Sequence, residues 1–370
     1  MLTLSKLTIV VLTYDRPLYA LRTMGLWSGT GASVHVLDGS GKAIAPVHLR
    51  AFSSNIHYHH LPVSIFKRIA EASNLVETEY VAFLADDDFF LPSALEKCIL
   101  ELEHSPALVA CCGRQIGKLL AADLTVRWSA VQGLRSSHEG GHSSALEMED
   151  PLERVLAHFS PYSPSTIYSV CRSDAWIKAT QVLSTREYSS GVALEVQFEL
   201  LMSFQGKTKV IEDLMWLRSA ENDSHTTGFE LAFHTWFSDK RYGPEVDDFL
   251  TITAKALAAG ALSPGMVRHG LEQACGAYVA SCNASVNNAS SEPSLPTIKP
   301  VLSWSALDLP KRLIRRLSSR LPAPICAALP ERFGFRPYVE IAKQLETAGV
   351  HVDWEQLNVV LESVRSLHAR

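Results

Sequence analysis

In the first part of the chain apolar residues come in unbroken runs and do not alternate with polar ones. Leu7–Leu12 (LTIVVL) is continuous and rich in β-branched residues, the pattern of a strand buried on both faces. Leu18–Trp27 reads as a helix. Ser33–Leu37 (SVHVL) is a second strand, ending at Asp38-Gly39-Ser40, and Asn55–His59 is a weaker third. Ser64–Leu75 is helical, with Ile65, Ile69 and Leu75 marking its apolar side. Tyr80–Leu84 (YVAFL) is a fourth buried strand that runs straight into Ala85-Asp86-Asp87-Asp88. Strands separated by helices imply right-handed crossovers and a mostly parallel sheet. Ligands of such sheets bind beyond the carboxyl ends of the strands. Polar clusters stand at three of those ends: Thr13-Tyr14-Asp15-Arg16, Asp38-Gly39-Ser40 and the three aspartates.

Beyond Gly113 the periodicity weakens. Ser136–Ser144 reads as a loop, either a lid or an acceptor loop. Thr166–Cys171 (TIYSVC) is expected to be a strand, Leu194–Phe204 a helix, and Thr208–Ile211 and Leu214–Leu217 two extended pieces. After about Phe229 the character turns helical. Asn287–Pro300 (NNASSEPSLPTIKP) is a polar, Ser/Pro-rich break, and Pro310–Leu321 a basic helix. The 370 residues exceed one typical domain of about 100–200 residues. The expected division is an α/β domain over 1–229 and a mostly helical region over 230–370.

A formal net charge of −5 argues against a general nucleic-acid binder, which needs a basic face to displace counterions. Seven cysteines, an odd number without framework spacing, read as reduced and mostly buried thiols of a cytosolic protein. Asp15 and Arg16 end the first apolar run too soon for a signal peptide, and no run approaches the roughly 18 apolar residues of a membrane span. A cytoplasmic location is therefore expected. Pro310–Leu321 sets Leu313, Ile314, Leu317 and Leu321 beside five basic residues. That pattern suits peripheral contact with an anionic membrane surface. A helix packed on its own domain with its arginines outward explains it slightly better.

Three consecutive aspartates at the end of a buried strand repel one another unless a hard divalent cation sits among their oxygens. Such a cation also neutralises the charge that develops on a departing diphosphate. Without their position after YVAFL the three would read as a solvated acidic turn. His57 and His59 face together on a strand and suggest zinc, but no third ligand is evident in the sequence.

The segments TIVVLTYDRP, VLDGS and IAEASNLVETEYVAFLADDDFFLP, in this order, resemble the family 2 glycosyltransferases of the GT-A fold. A later stretch, LEVQFELLMSFQGKTKVIEDLMWLR, is similar to a bacterial subgroup, so the resemblance covers roughly residues 7–225. It implies a nucleotide-diphospho-sugar donor, UDP-linked by preference, a glycan or lipid-linked acceptor, and Mn²⁺ or Mg²⁺. It places Thr13, Tyr14, Asp15, Arg16, Asp38 and Asp87 around the nucleotide sugar, Asp86 on the ribose or a metal-bound water, Asp88 on the metal, and Arg218 on the diphosphate. His225 is implied as a further metal ligand. Glu195 stands where the family has its general base, although Glu-Asp is the commoner pair there and this chain has Glu195-Val196. Glu199, one turn on, shares its face. The implied reaction is inverting transfer of a hexosyl group to a hydroxyl. A non-catalytic nucleotide-sugar binder with a degenerate site is the alternative, and a nucleotidyltransferase ranks low because Thr13–Pro17 lacks a Gly-rich phosphate loop.

Overall fold

The computed structural model describes residues 3–119, 124–127, 145–160, 162, 166–219, 231–259, 262–290 and 335–368. The strands are β1 (Leu7–Thr13), β2 (Ser33–Asp38), β3 (Ile56–His60), β4 (Tyr80–Ala85), β5 (Phe89–Phe90), β6 (Leu108–Leu119), β7 (Thr125–Arg127), β8 (Val170–Arg172), β9 (Lys207–Ser219) and β10 (Phe335–Pro337). The helices are α1 (Pro17–Trp27), α2 (Pro46–Leu49), α3 (Ile65–Leu75), α4 (Pro92–His104), α5 (Pro151–His158), α6 (Ser173–Leu183), α7 (Val192–Gln205), α8 (Phe233–Ser238), α9 (Gly243–Leu257), α10 (Pro264–Ser290), α11 (Tyr338–Thr347) and α12 (Trp354–His368).

One mixed sheet runs in the order β10-β7-β6-β8-β4-β1-β2-β3, with β9 paired to both β5 and β6. The four strands expected from the sequence form its parallel half, β3-β2-β1-β4. From β8 onward the pairing turns antiparallel, apart from β6 with β9. All seven residues of β1 are buried, and they divide by parity. Leu7, Ile9 and Val11 pack with Met24 and Trp27 of α1 and with Leu95 and Ile99 of α4. Val10 and Leu12 pack on the opposite face with Phe66 and Ile69 of α3 and Trp176 of α6. The chain is therefore a mixed α/β fold with helices on both faces of the sheet.

The later helices join these cores. Phe233, Trp236 and Phe249 of α8 and α9 share the α3 face with Val196 and Leu200 of α7. Tyr338, Ile341, Leu357 and Leu361 of α11 and α12 close a third cluster over Phe89, Leu91, Leu214 and Leu217. A long-range cap joins that cluster to α4: Gln356 Oε1 accepts from Ser93 N at 3.0 Å and from Ser93 Oγ at 3.1 Å.

Several expectations need correction. Thr208–Ile211 and Leu214–Leu217 belong to the single strand β9. Thr166–Tyr168 is a 3-10 turn, not a strand, and only Val170–Arg172 is extended. The cause is local: the Glu199 carboxylate takes the N–H groups of Thr166 and Ile167, which are lost to any ladder. Helix α10 runs on to Ser290, into the expected break. The described cysteines are free and, except for half-buried Cys282, buried. Among the described residues no helix is long and apolar enough to cross a membrane. The loop at Ser136–Ser144 and the basic helix at Pro310–Leu321 lie outside the described residues.

Because α12 completes a core that begins at β5, Leu357→Ala is expected to destabilise the whole chain by about 2–5 kcal/mol. Urea unfolding followed by tryptophan fluorescence should show one shifted transition, not an early loss of the C-terminal helices alone.

Candidate functional site

The carboxyl ends of β1, β2 and β4 lie side by side, and Thr13 pairs with Asp38 in the parallel register. Thr13 Oγ1 donates to Asp86 Oδ2 at 2.7 Å. Asp38 accepts from Ser40 N at 2.8 Å, from the Ser40 hydroxyl, and from the Tyr58 hydroxyl at 2.6 Å. Burial, with that carboxylate beside it, pushes Tyr58 up to about 12, so Tyr58 remains a donor. Asp15 N donates to Ser40 Oγ at 2.8 Å. Asp15 itself is left-handed, at φ 52°, a conformation that Asp tolerates better than most non-glycine residues. This turn delivers Arg16 to the aspartates, where its Nη1 lies 3.0 Å from Asp86 Oδ1 and 3.2 Å from Asp87 Oδ2.

The acidic turn is gripped from both sides. Helix α1 holds its carbonyls, with Thr23 Oγ1 donating to Asp86 O at 2.8 Å and Arg22 Nη2 to Asp87 O at 3.3 Å. The Arg22 guanidinium also lies over the Phe89 ring, 4.5 Å from its centre. Strand β9 holds Asp88: Ser219 N donates to Oδ1 at 2.7 Å and Trp216 Nε1 to Oδ2 at 3.0 Å. Burial first, and the Asp87 charge second, push Asp86 up to about 6 and Asp88 up to about 7. The acidic turn is thus costly to ionise fully. Its carboxylates are the hard oxygen donors that Mg²⁺ and Mn²⁺ prefer. Among the described residues no three ligands converge on one point. Mg²⁺ commonly takes one or two carboxylates and completes its shell with water and substrate phosphates, and this arrangement fits that mode.

Glu195 stands in the first turn of α7, where Tyr162 donates to its Oε1 at 2.9 Å. Burial pushes Glu195 up to about 7, Glu199 adds to the rise, and Tyr162 and Arg218 oppose it. The Arg218 charge acts on both Glu195 and Asp88, so the two acids share one neighbourhood. Tyr168 fills the space between: its ring stacks on Trp216 at 4.0 Å, and its hydroxyl is raised by burial, then by Glu195 and Asp88. Arg218 lies over the other partner of that stack, 5.7 Å from the Trp216 ring. Glu199, by contrast, is fully buried and committed to structure. It meets His158 Nε2 at 2.8 Å and the two backbone N–H groups of the 3-10 turn.

Of the residues singled out in the sequence, Thr13, Arg16, Asp86, Asp87 and Asp88 are in direct mutual contact or adjacent, with Asp15 and Asp38 joined to them through Ser40. Tyr14 is exposed beside them. His225 lies outside the described residues. His57 and His59 do face together, and His35 of β2 joins them: the ring centres are 4.7 and 5.3 Å away, and His35 Nδ1 is 3.1 Å from His59 Nε2. The rings stack and do not converge, and burial lowers His35 to about 4. Zinc has no site in that arrangement.

Sequence reasoning missed Arg68. It sits on the buried face of α3 with Phe66, Ile69 and Ala72, and Nη1 donates to Thr13 O at 2.7 Å and Leu37 O at 3.3 Å. It fastens the ends of β1 and β2 together. Gly39 makes room for it, since a Cβ there would come within 2.6 Å of the guanidinium carbon. An arginine at apolar helix spacing was the signal.

No protein-family model matches the chain, and no curated protein matches it in sequence. Among solved structures it is similar to S. aureus TarS 1-349 in complex with UDP-GlcNAc, with a TM-score of 0.45 and 12% identity over 76% of this chain and 92% of that one. It is also similar to the mannosyltransferase PcManGT from Pyrobaculum calidifontis in complex with GDP-Man and Mn²⁺. There the TM-score is 0.39, with 13% identity over 93% of this chain and 86% of that one. At these scores the likeness is one of general chain layout.

Glu199→Ala would leave two buried N–H groups and His158 without their acceptor, at about 1–3 kcal/mol for each donor. Thermal denaturation of this variant should show a large loss of stability. Glu195→Ala, which among the described residues strands only the Tyr162 hydroxyl, should lose much less.

Proposed function

We propose that the chain is a GT-A glycosyltransferase that moves a sugar from a nucleoside-diphosphate donor to an acceptor hydroxyl with inversion. The observation that carries this reading is the pairing of two acid sites with different chemistry around Tyr168, Trp216 and Arg218. One is a buried carboxylate turn at the end of β4 that resists full ionisation; the other is a single carboxyl poised near neutral pH on α7. Perturbed acids grouped in this way are the usual mark of a catalytic centre.

In this reading Thr13, Tyr14, Asp15 and Asp38 border the nucleotide, with Asp86 and Asp87 on the ribose side. Asp88 is the metal ligand. The divalent ion supplies charge neutralisation for the diphosphate leaving group. Arg218 adds positive charge on the same side. The Glu195 carboxylate takes the acceptor hydroxyl's proton while the acceptor oxygen bonds to the donor's anomeric carbon. The bond from that carbon to the phosphate oxygen breaks, and the nucleoside diphosphate departs with the electron pair. Tyr162 donates to one oxygen of Glu195 and so leaves the other for the incoming proton.

A base must be ionised to act, so turnover should rise with pH through about 7. Glu195→Gln should lower transfer by about 10²–10⁴-fold while leaving the binding of nucleotide and Mn²⁺ in place, as read by thermal shift with UDP, GDP, dTDP and CDP. No stabilisation by any of these nucleotides, with or without Mn²⁺, would refute the reading. Binding without turnover of any donor would instead favour a non-catalytic binder.

Stability carries a second signature. An unfolded Glu releases its proton near 4.5, whereas folded Glu195 keeps it to about 7. Between those values the folded state binds the extra proton, so its ionisation costs stability as pH rises. Glu195→Gln removes that cost. The variant should gain stability over the parent on the order of 1–3 kcal/mol at pH 8 and show little gain at pH 5, by denaturant titration at both values.

A further inference from the structure

A single nitrogen of Arg16 touches one oxygen each of Asp86 and Asp87, at 3.0 and 3.2 Å. A guanidinium that grips a carboxylate usually does so with two nitrogens in a fork. Here Nη1 lies between two carboxylates as a point cation would, and three N–H donors of the group take no part in those bonds. The approach is built in. Asp15 adopts the left-handed backbone that turns the chain, Ser40 holds the Asp15 N–H, and Pro17 starts α1 directly after Arg16. The side chain keeps a fifth of its surface exposed, while those of Asp86 and Asp87 keep 3% and 14%. The arginine is thus the more exposed member of each of these contacts.

We propose that Arg16 is a resident counter-cation of the acidic turn, which a divalent ion displaces and which then turns to the donor's diphosphate. The inference rests on the metal-dependent reading above. A divalent ion on Asp88 would stand next to Asp86 and Asp87, and two cations so close repel one another, so a metal arriving alone loosens Arg16's hold on those carboxylates. When a nucleoside diphosphate arrives as well, the released guanidinium meets phosphate oxygens, an anionic partner that its planar fork of donors suits. Metal and nucleotide then assist one another, and the assistance is reciprocal in binding free energy. A plain phosphate contact has no such effect on the metal alone, because it leaves the carboxylates untouched. A plain structural link weakens everything together.

The test is a binding cycle read without turnover. Mn²⁺ affinity is measured by electron paramagnetic resonance of the free ion, with and without UDP and GDP, for the parent chain, Arg16→Ala and Arg16→Lys. The parent should bind Mn²⁺ weakly alone and at least tenfold more tightly with a nucleoside diphosphate. Arg16→Ala should bind Mn²⁺ alone at least threefold more tightly than the parent, and should lose most of the nucleotide's enhancement. Arg16→Lys, which keeps a point charge, should stay near the parent for Mn²⁺ alone. Circular dichroism and melting temperature check that both variants fold. If Arg16→Ala binds Mn²⁺ alone no better than the parent, the counter-cation proposal is overturned while the metal-dependent reading stands. If the parent binds no Mn²⁺ even with nucleotide, that reading falls and the proposal with it.

Discussion

The repulsion among Asp86, Asp87 and Asp88 at the closed end of a buried strand is the constraint around which the rest of the molecule is arranged. Such a turn persists only if its carbonyls and carboxylates are engaged from several directions. The chain meets the demand with elements far apart in sequence: Thr13 from β1, Arg16 from the turn after it, Arg22 and Thr23 from α1, and Trp216 and Ser219 from β9. The pairing of β9 with β5 brings the last two into range. The antiparallel half of the sheet thus holds a polar group at the end of the parallel half.

The same economy governs the two glutamates of α7. They lie one turn apart on one face, yet Glu199 is spent on a backbone turn and a histidine while Glu195 keeps one oxygen uncommitted by Tyr162. The difference lies in the neighbours that fold onto each, not in the residue. A buried acid with three donors is a structural joint. A half-buried acid with one donor among the described residues and a raised pKa is chemically available.

Much of the parallel half was legible in the sequence, because a strand buried on both faces leaves an unbroken apolar run and its ends are marked by polar clusters. The register that places Thr13 beside Asp38 follows from the sheet order. The antiparallel half was harder to read. Thr166–Tyr168 carries strand-like residues, but a carboxylate thirty-odd positions away claims its N–H groups. Strand β9 looked like two pieces because Glu212 and Asp213 interrupt the apolar pattern, although both find basic partners, Arg114 and Lys97. Asp86–Asp88 and Glu195 could be singled out by type and position. Arg68, Tyr58, Tyr162 and Trp216 could not, since their parts depend on contacts that only the folded chain creates.

The cap between Gln356 and Ser93 spans 263 positions, and it has a bearing on how the molecule comes into being. Helix α4 begins two residues after β5, next to the acidic turn, yet its first N–H group, that of Ser93, awaits an acceptor from α12. Contacts of such separation are slow to form because a long loop must close first. During synthesis the parallel strands emerge early, whereas the apolar patch of Phe89, Leu91, Leu214 and Leu217 stays uncovered until α11 and α12 have been made. Maturation of the acidic turn therefore waits, in each newly made chain, on the synthesis of α11 and α12.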